Sequence, residues 1–151
     1  MSEFYEKYLQ ANAFSKSADI LIDIVHKDAI KAEDLLLSRP AIVNCAFACE
    51  LYLKALLTGN KIDRIHDLEK LWKKLPIDLR ERIDNKIKNK YGKAENAFGI
   101  PHIKQIAKAF NDWRYCHEKV GSLIIDEWFL FEFRDRLKDE CEKVLQEKGN
   151  I

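Results

Sequence analysis

The sequence predicts an all-α, single-domain helical bundle of about five to six helices over residues 1–151. Three observations carry this. Only 5 Gly and 3 Pro punctuate the chain, so long helices are favoured over short strands joined by tight turns. Apolar residues recur at spacings of three and four. The apolar–polar alternation of half-buried strands is nearly absent.

The elements follow in order. A first helix is predicted over Glu3–His26, where Phe4, Tyr8, Ala11, Phe14, Ala18, Leu21, Ile22 and Val25 mark one stripe. Residues 28–39 suit a loop or a short helix. A second helix opens at Pro40, whose missing N–H has no partner in a first turn anyway. Ser38 is its candidate cap. Ala41, Ile42, Cys45, Ala46, Cys49, Leu53, Leu56 and Leu57 are apolar on more than one face, so this helix is central. Thr58-Gly59-Asn60 stops it.

Asp67 caps a third helix from Leu68 to about Leu75, bounded by Pro76. A fourth runs over Asp78–Tyr91, with Leu79, Ile83 and Ile87 on one side and Arg82, Lys86 and Lys90 on another. Residues 92–99 read as a loop. A fifth starts near Pro101 and continues through Ile103, Ile106, Ala107 and Phe110 into Trp113–Glu118, before Val120-Gly121-Ser122 breaks it. A sixth covers Asp126–Lys148. Its start holds Trp128, Phe129, Phe131 and Phe133, more aromatic surface than one helix face is expected to bury, which suggests an interface.

A net charge of +1 argues for no particular polyanion partner. Its distribution is uneven. From Lys61 to Lys93 there are eleven Lys/Arg against six Asp/Glu; from Asp126 to Lys148, five against eight. The basic stretch suits either phosphates or a solvated helix face. The four cysteines, Cys45, Cys49, Cys116 and Cys141, form no C-x-x-C pair and read as reduced thiols. Nothing in their spacing fixes a metal geometry. Residues 41–57 are too short and too polar to span a bilayer comfortably. The first residues lack a signal-peptide pattern. A cytoplasmic protein without membrane contact is expected.

Two constellations carry chemistry. Asp112-Trp113-Arg114-Tyr115-Cys116-His117-Glu118 places Arg114, His117 and Glu118 on one helical face. That is either an anion-binding or acid–base cluster, or an interfacial helix with an Arg114–Glu118 pair. Arg114 offers a planar fork to a phosphate, and Trp113 or Tyr115 a face to a base. Glu50 and Lys54 are the only charges between Pro40 and Gly59. They are either a pair on an exposed stripe, or a site in which Glu50 orients a cation such as Arg114. His66 reads as a turn residue beside the capping Asp67. His102 and His26 read as helix-end residues. There is no P-loop, G-x-S-x-G, H-E-x-x-H or dinucleotide fingerprint.

Taken in order, the E-x-x-x-K helix around Glu50 and Lys54, the turn His66-Asp67-Leu68 and the R-Y-x-x-E segment from Arg114 to Glu118 resemble the HEPN superfamily over roughly residues 41–118. The resemblance implies a helical bundle, often dimeric, with its polar motif near the dimer cleft and a link to nucleotide or RNA chemistry. In the ribonuclease branch a His follows the Arg at a longer spacing than that of His117, which is separated from Arg114 by only two residues and has no His after it. This departure looks closer to members that bind nucleotides or partner small nucleotidyltransferases, including toxin–antitoxin or defence-type systems. The leading expectation is a module binding a nucleotide or RNA phosphate through Glu50, Lys54, Trp113, Arg114, Tyr115 and Glu118, needing no cofactor or metal and acting as a homodimer. The alternatives are a metal-independent ribonuclease using Arg114 and His117, and a protein-interaction scaffold.

Overall fold

Helices account for all the regular structure among the described residues, as the sequence predicts. The computed structural model describes residues 1–91, 100–114 and 126–149. The helices are α1 (Glu3–Val25), α2 (Ala32–Leu35), α3 (Ser38–Leu56), α4 (Leu68–Lys74), α5 (Ile77–Tyr91), α6 (Ile100–Ile106), α7 (Ala109–Arg114) and α8 (Glu127–Glu147).

Local chemistry sets most of these ends. Ser2, Asp67 and Asp126 each accept a hydrogen bond from a backbone N–H three residues on, capping α1, α4 and α8. Gly59, at φ +95°, takes the chain out of α3 through a conformation that other residues resist. Ser38 does not cap α3. The chain leaves α2 already turning right-handed through Leu36 and Leu37, so α3 starts without a side-chain cap and Ser38 is its first helical residue.

The expected fifth helix is two helices. Between α6 and α7 the carbonyl of Ala107 accepts a hydrogen bond from the N–H of Leu68, the first residue of α4. That N–H has no partner within its own helix, so the break between α6 and α7 serves the start of α4. The expected loop at 92–99 and break at 120–122 lie outside the described residues.

Helix α3 is the hub, packing against α1, α4, α7 and α8. On α1 the buried positions are Phe4, Tyr8, Ala11, Ser15, Ala18 and Ile22, alternating steps of four and three. This is a knobs-into-holes seam, with small residues in its middle. The face of α3 that carries Asn44 and Tyr52 also holds Ala41 and Ala48, both fully buried. Small side chains on both helices allow a close approach. Asn44 donates to Ser17 Oγ, Phe47 meets Phe14, and Tyr52 donates to Asn12 Oδ1 at 2.6 Å. These pairs run in opposite directions along the two helices, so α1 and α3 are antiparallel. The thiols of Cys45 and Cys49 point at the Leu130 carbonyl, and the Cys141 thiol at that of Tyr52. Helices α3 and α8 therefore run parallel. Burial pushes the Cys45 and Cys141 thiols well above the usual range, as expected of inert core cysteines.

The aromatic start of α8 mostly turns inward. Phe129 and Phe133 are sealed in the core, stacked on each other with centroids 5.8 Å apart, and Trp72 meets Phe133 edge-on at 5.4 Å. Phe131 is half-buried beneath the Arg134 guanidinium, and Trp128 keeps 38% exposure. One helix buries this much aromatic surface because α3 covers one side of it and α5 another.

Helix α5 lies antiparallel to α8 along an ionic seam. Arg82 and Lys86 bond Glu140, and Lys90 bonds Glu132 at 2.8 Å. Both carboxylates are almost fully buried. The basic stripe of α5 thus faces neighbouring carboxylates, and Ile83 and Ile87 enter the core beside it.

The stretch Ala32–Leu56 has the length and mean hydropathy, 1.2, of a membrane span, but half of it is buried within the bundle. It also contains the Glu50–Lys54 pair. Its longer part, α3, packs against four other helices of the bundle.

Phe133→Ala is expected to cost about 3–5 kcal/mol in urea denaturation, because it empties the contact between α4 and α8. Glu140 supplies a pH test. Burial alone would raise its carboxyl, but hydrogen bonds from Lys143 and Arg82 outweigh this and hold it below the usual 4.5. A lowered folded-state pKa stabilises fully above the unfolded value, and that stabilisation is lost as pH falls through the folded value. The stability gap between wild type and Glu140→Gln should therefore be widest near neutral pH and close as pH falls below 4.5.

Candidate functional site

The two charged residues in the second half of α3 have little exposed surface. Glu50 is 1% exposed and Lys54 is 6% exposed. The exposed-stripe expectation for this pair is corrected: neighbouring helices cover α3 on that face too. The Lys54 ammonium donates to Glu50 Oε1 at 2.8 Å and to the Asp63 carbonyl at 3.0 Å. A charge taken out of water survives only when partnered, and here each ion supplies the other's partner.

The third member is His66. Its Nδ1 lies 2.9 Å from the same Glu50 Oε1, while its side chain keeps 54% exposure. A sequence reading as a turn residue understates its role. The stretch after α3 wraps back so that the cap of α4 and the buried carboxylate of α3 are neighbours. With Nδ1 donating to the carboxylate, a neutral ring carries its lone pair on Nε2. The other carboxylate oxygen, Glu50 Oε2, is buried and has no hydrogen-bond partner. The cluster therefore has an oriented imidazole reaching solvent and an acceptor able to take one more donor.

Glu50 draws its partners from Lys54 and His66, not from Arg114. Arg114 closes α7 and is exposed. Its guanidinium lies over the Phe110 ring, 4.5 Å from the centroid. Phe110 in turn stacks on Phe47 of α3 at 4.8 Å, and Phe47 meets Phe14 edge-on at 4.5 Å. A column of rings from α1, α3 and α7 thus lies beneath the Arg114 guanidinium. Phe47 sits one turn before Glu50, so the ring column and the Glu50 cluster leave α3 at adjacent turns. Trp113 is half-buried and packs against the core, which makes it a support for α7. Tyr115, Cys116, His117 and Glu118 lie outside the described residues.

The other histidines stay at helix ends. His26 pairs with Glu127 at 3.1 Å, and His102 lies 3.3 Å from Asp126 and beside the Phe129 ring. Among the described residues no group of three or more His, Cys, Asp or Glu is arranged to hold a metal. Two cavities are described, of about 280 and 250 Å³. The first is lined by Phe4, Leu56, Val144 and Lys148 among others, the second by His26, Trp128, Phe131 and Asp135 among others. Neither is lined by Glu50 or Arg114.

Compared with known protein families, with curated proteins and with solved structures, the chain matches none.

Removing one member of the buried pair should be severe. Glu50→Gln leaves the Lys54 ammonium without a buried counter-charge and is expected to cost about 3–5 kcal/mol. The double variant Glu50→Leu/Lys54→Met should recover most of that loss. Chemical denaturation of both variants checks this.

Proposed function

We propose that the chain is a HEPN-like module that binds the phosphate of a nucleotide or RNA at Arg114, as a cytoplasmic homodimer and with little or no catalysis of its own. The observation that carries this reading is the exposed Arg114 guanidinium held over the Phe110 ring. An arginine held by a ring loses less freedom on binding than one that swings in solvent. Its fork matches two phosphate oxygens at once, which a lysine cannot do.

The neighbouring chemistry suits the rest of a nucleotide. The buried acceptor of Glu50 and the imidazole of His66 suit hydroxyl groups such as those of a ribose. Tyr115 and Glu118 extend the reading on the strength of sequence spacing alone. The HEPN resemblance adds a small nucleotidyltransferase as the class of partner, within a toxin–antitoxin or defence-type pair. A ribonuclease using Arg114 and His117 is the competing outcome of the same assays.

The test is a titration with nucleotides and with short single-stranded RNA, wild type against Arg114→Ala. A charge-assisted bidentate contact contributes about 1.5–3 kcal/mol, so affinity should fall roughly tenfold to a hundredfold. Equal affinity for both proteins removes the site. RNA shortened by wild type but not by His117→Ala would replace binding with cleavage.

A further inference from the structure

The seam between α5 and α8 gathers more positive charge than its fold requires. Glu140 is a single carboxylate, 2% exposed, yet three cations converge on it. Lys143 lies 2.7 Å and Lys86 3.3 Å from the same oxygen, Oε1, while Arg82 lies 3.1 Å from Oε2. Two ammonium groups on one oxygen are forced close together. Lys143 accordingly pushes the Lys86 ammonium below the usual lysine range, with burial adding to the effect. Among the described residues the one further acidic contact is Asp78 on Arg82, at 3.4 Å and 77% exposed. Counting it, the group still holds a net positive charge.

A fold that needed only to neutralise a buried carboxylate would use one or two cations. A third, set against a like charge, costs energy. What the arrangement gains is a fan of donors fixed in place. The buried carboxylate anchors their inner side, and 35% to 51% of each of the three side chains stays open to solvent.

We propose that Arg82, Lys86 and Lys143, fanned around Glu140, form a phosphate-binding site on the α5–α8 seam. A phosphate brings several acceptor oxygens and up to two negative charges to a cluster short of both. It relieves the Lys86–Lys143 repulsion by lying between the two ammonium groups. The site belongs to other helices than Arg114 and stands or falls independently of it. The phosphate has two possible sources, a polynucleotide backbone and a small phosphate ester.

The experiment titrates inorganic phosphate into the whole chain at constant ionic strength and follows backbone amide resonances by NMR. The expected result is a saturable shift of α5 and α8 amides. It should weaken about tenfold or more in Lys86→Gln/Lys143→Gln, which keeps the Arg82–Glu140 pair, and less in Lys143→Gln alone. A fluorescent short single-stranded RNA is then titrated into Arg114→Ala, with and without the two lysine changes. Weaker RNA binding on their loss assigns the site to a polynucleotide backbone. A phosphate response without any RNA effect assigns it to a small phosphate ester. Shifts that do not saturate, or that the double variant leaves unchanged in a folded protein, overturn the site.

Discussion

The approach of α1 to α3 is the contact on which the rest of the bundle depends. Ala11, Ser15 and Ala18 lie buried along α1, and Ala41 and Ala48 lie on the face of α3 that carries Asn44 and Tyr52, with the ring pair Phe14–Phe47 packed in the same contact. That lets α3 sit in the middle, with α8 on another side and α4 and α7 on the remainder. Each outer helix needs to be apolar on only one stripe because α3 supplies the facing surface. A bulky residue at Ala18 or Ala48 would part the two helices and misplace every contact that α3 makes with the others.

Surrounding α3 has a chemical consequence. A charge in its covered second half must find a partner inside the protein, since burial removes most of its water. Glu50 and Lys54 satisfy one another, and the loop after α3 contributes the Asp63 carbonyl and the His66 ring. The same logic recurs on α8. The almost buried Arg134 is held by Asp19, Asp135 and the Ser15 carbonyl, and Glu132 by Lys90 and Arg136. Such partners add little net stability, but they penalise a shifted register, because a slip of one turn would strand a charge in the core.

The sequence exposed a good deal of this. The stripe on α1, the capping Asp67, the glycine stop after α3 and the central standing of α3 all follow from local rules that tertiary contacts did not override. Local rules failed where a distant partner decides. Ser38 has the chemistry of a cap, but α2 makes one unnecessary. The apolar run through Phe110 looks continuous, yet α4 takes the Ala107 carbonyl and divides it. The uneven charge along the chain was plain as two segments of opposite sign. That α5 and α8 lie side by side, antiparallel, with Glu140 beneath three cations, was not.

Most helices, their apolar faces and the charges available were thus legible from local sequence, because these depend on residues within a few positions of one another. Only the tertiary structure decided that Glu50 would meet His66, that Arg114 would rest on Phe110 and Phe47, and which cations would crowd one carboxylate. Those outcomes depend on which helices become neighbours, and that is settled by packing the whole chain around α3 at once.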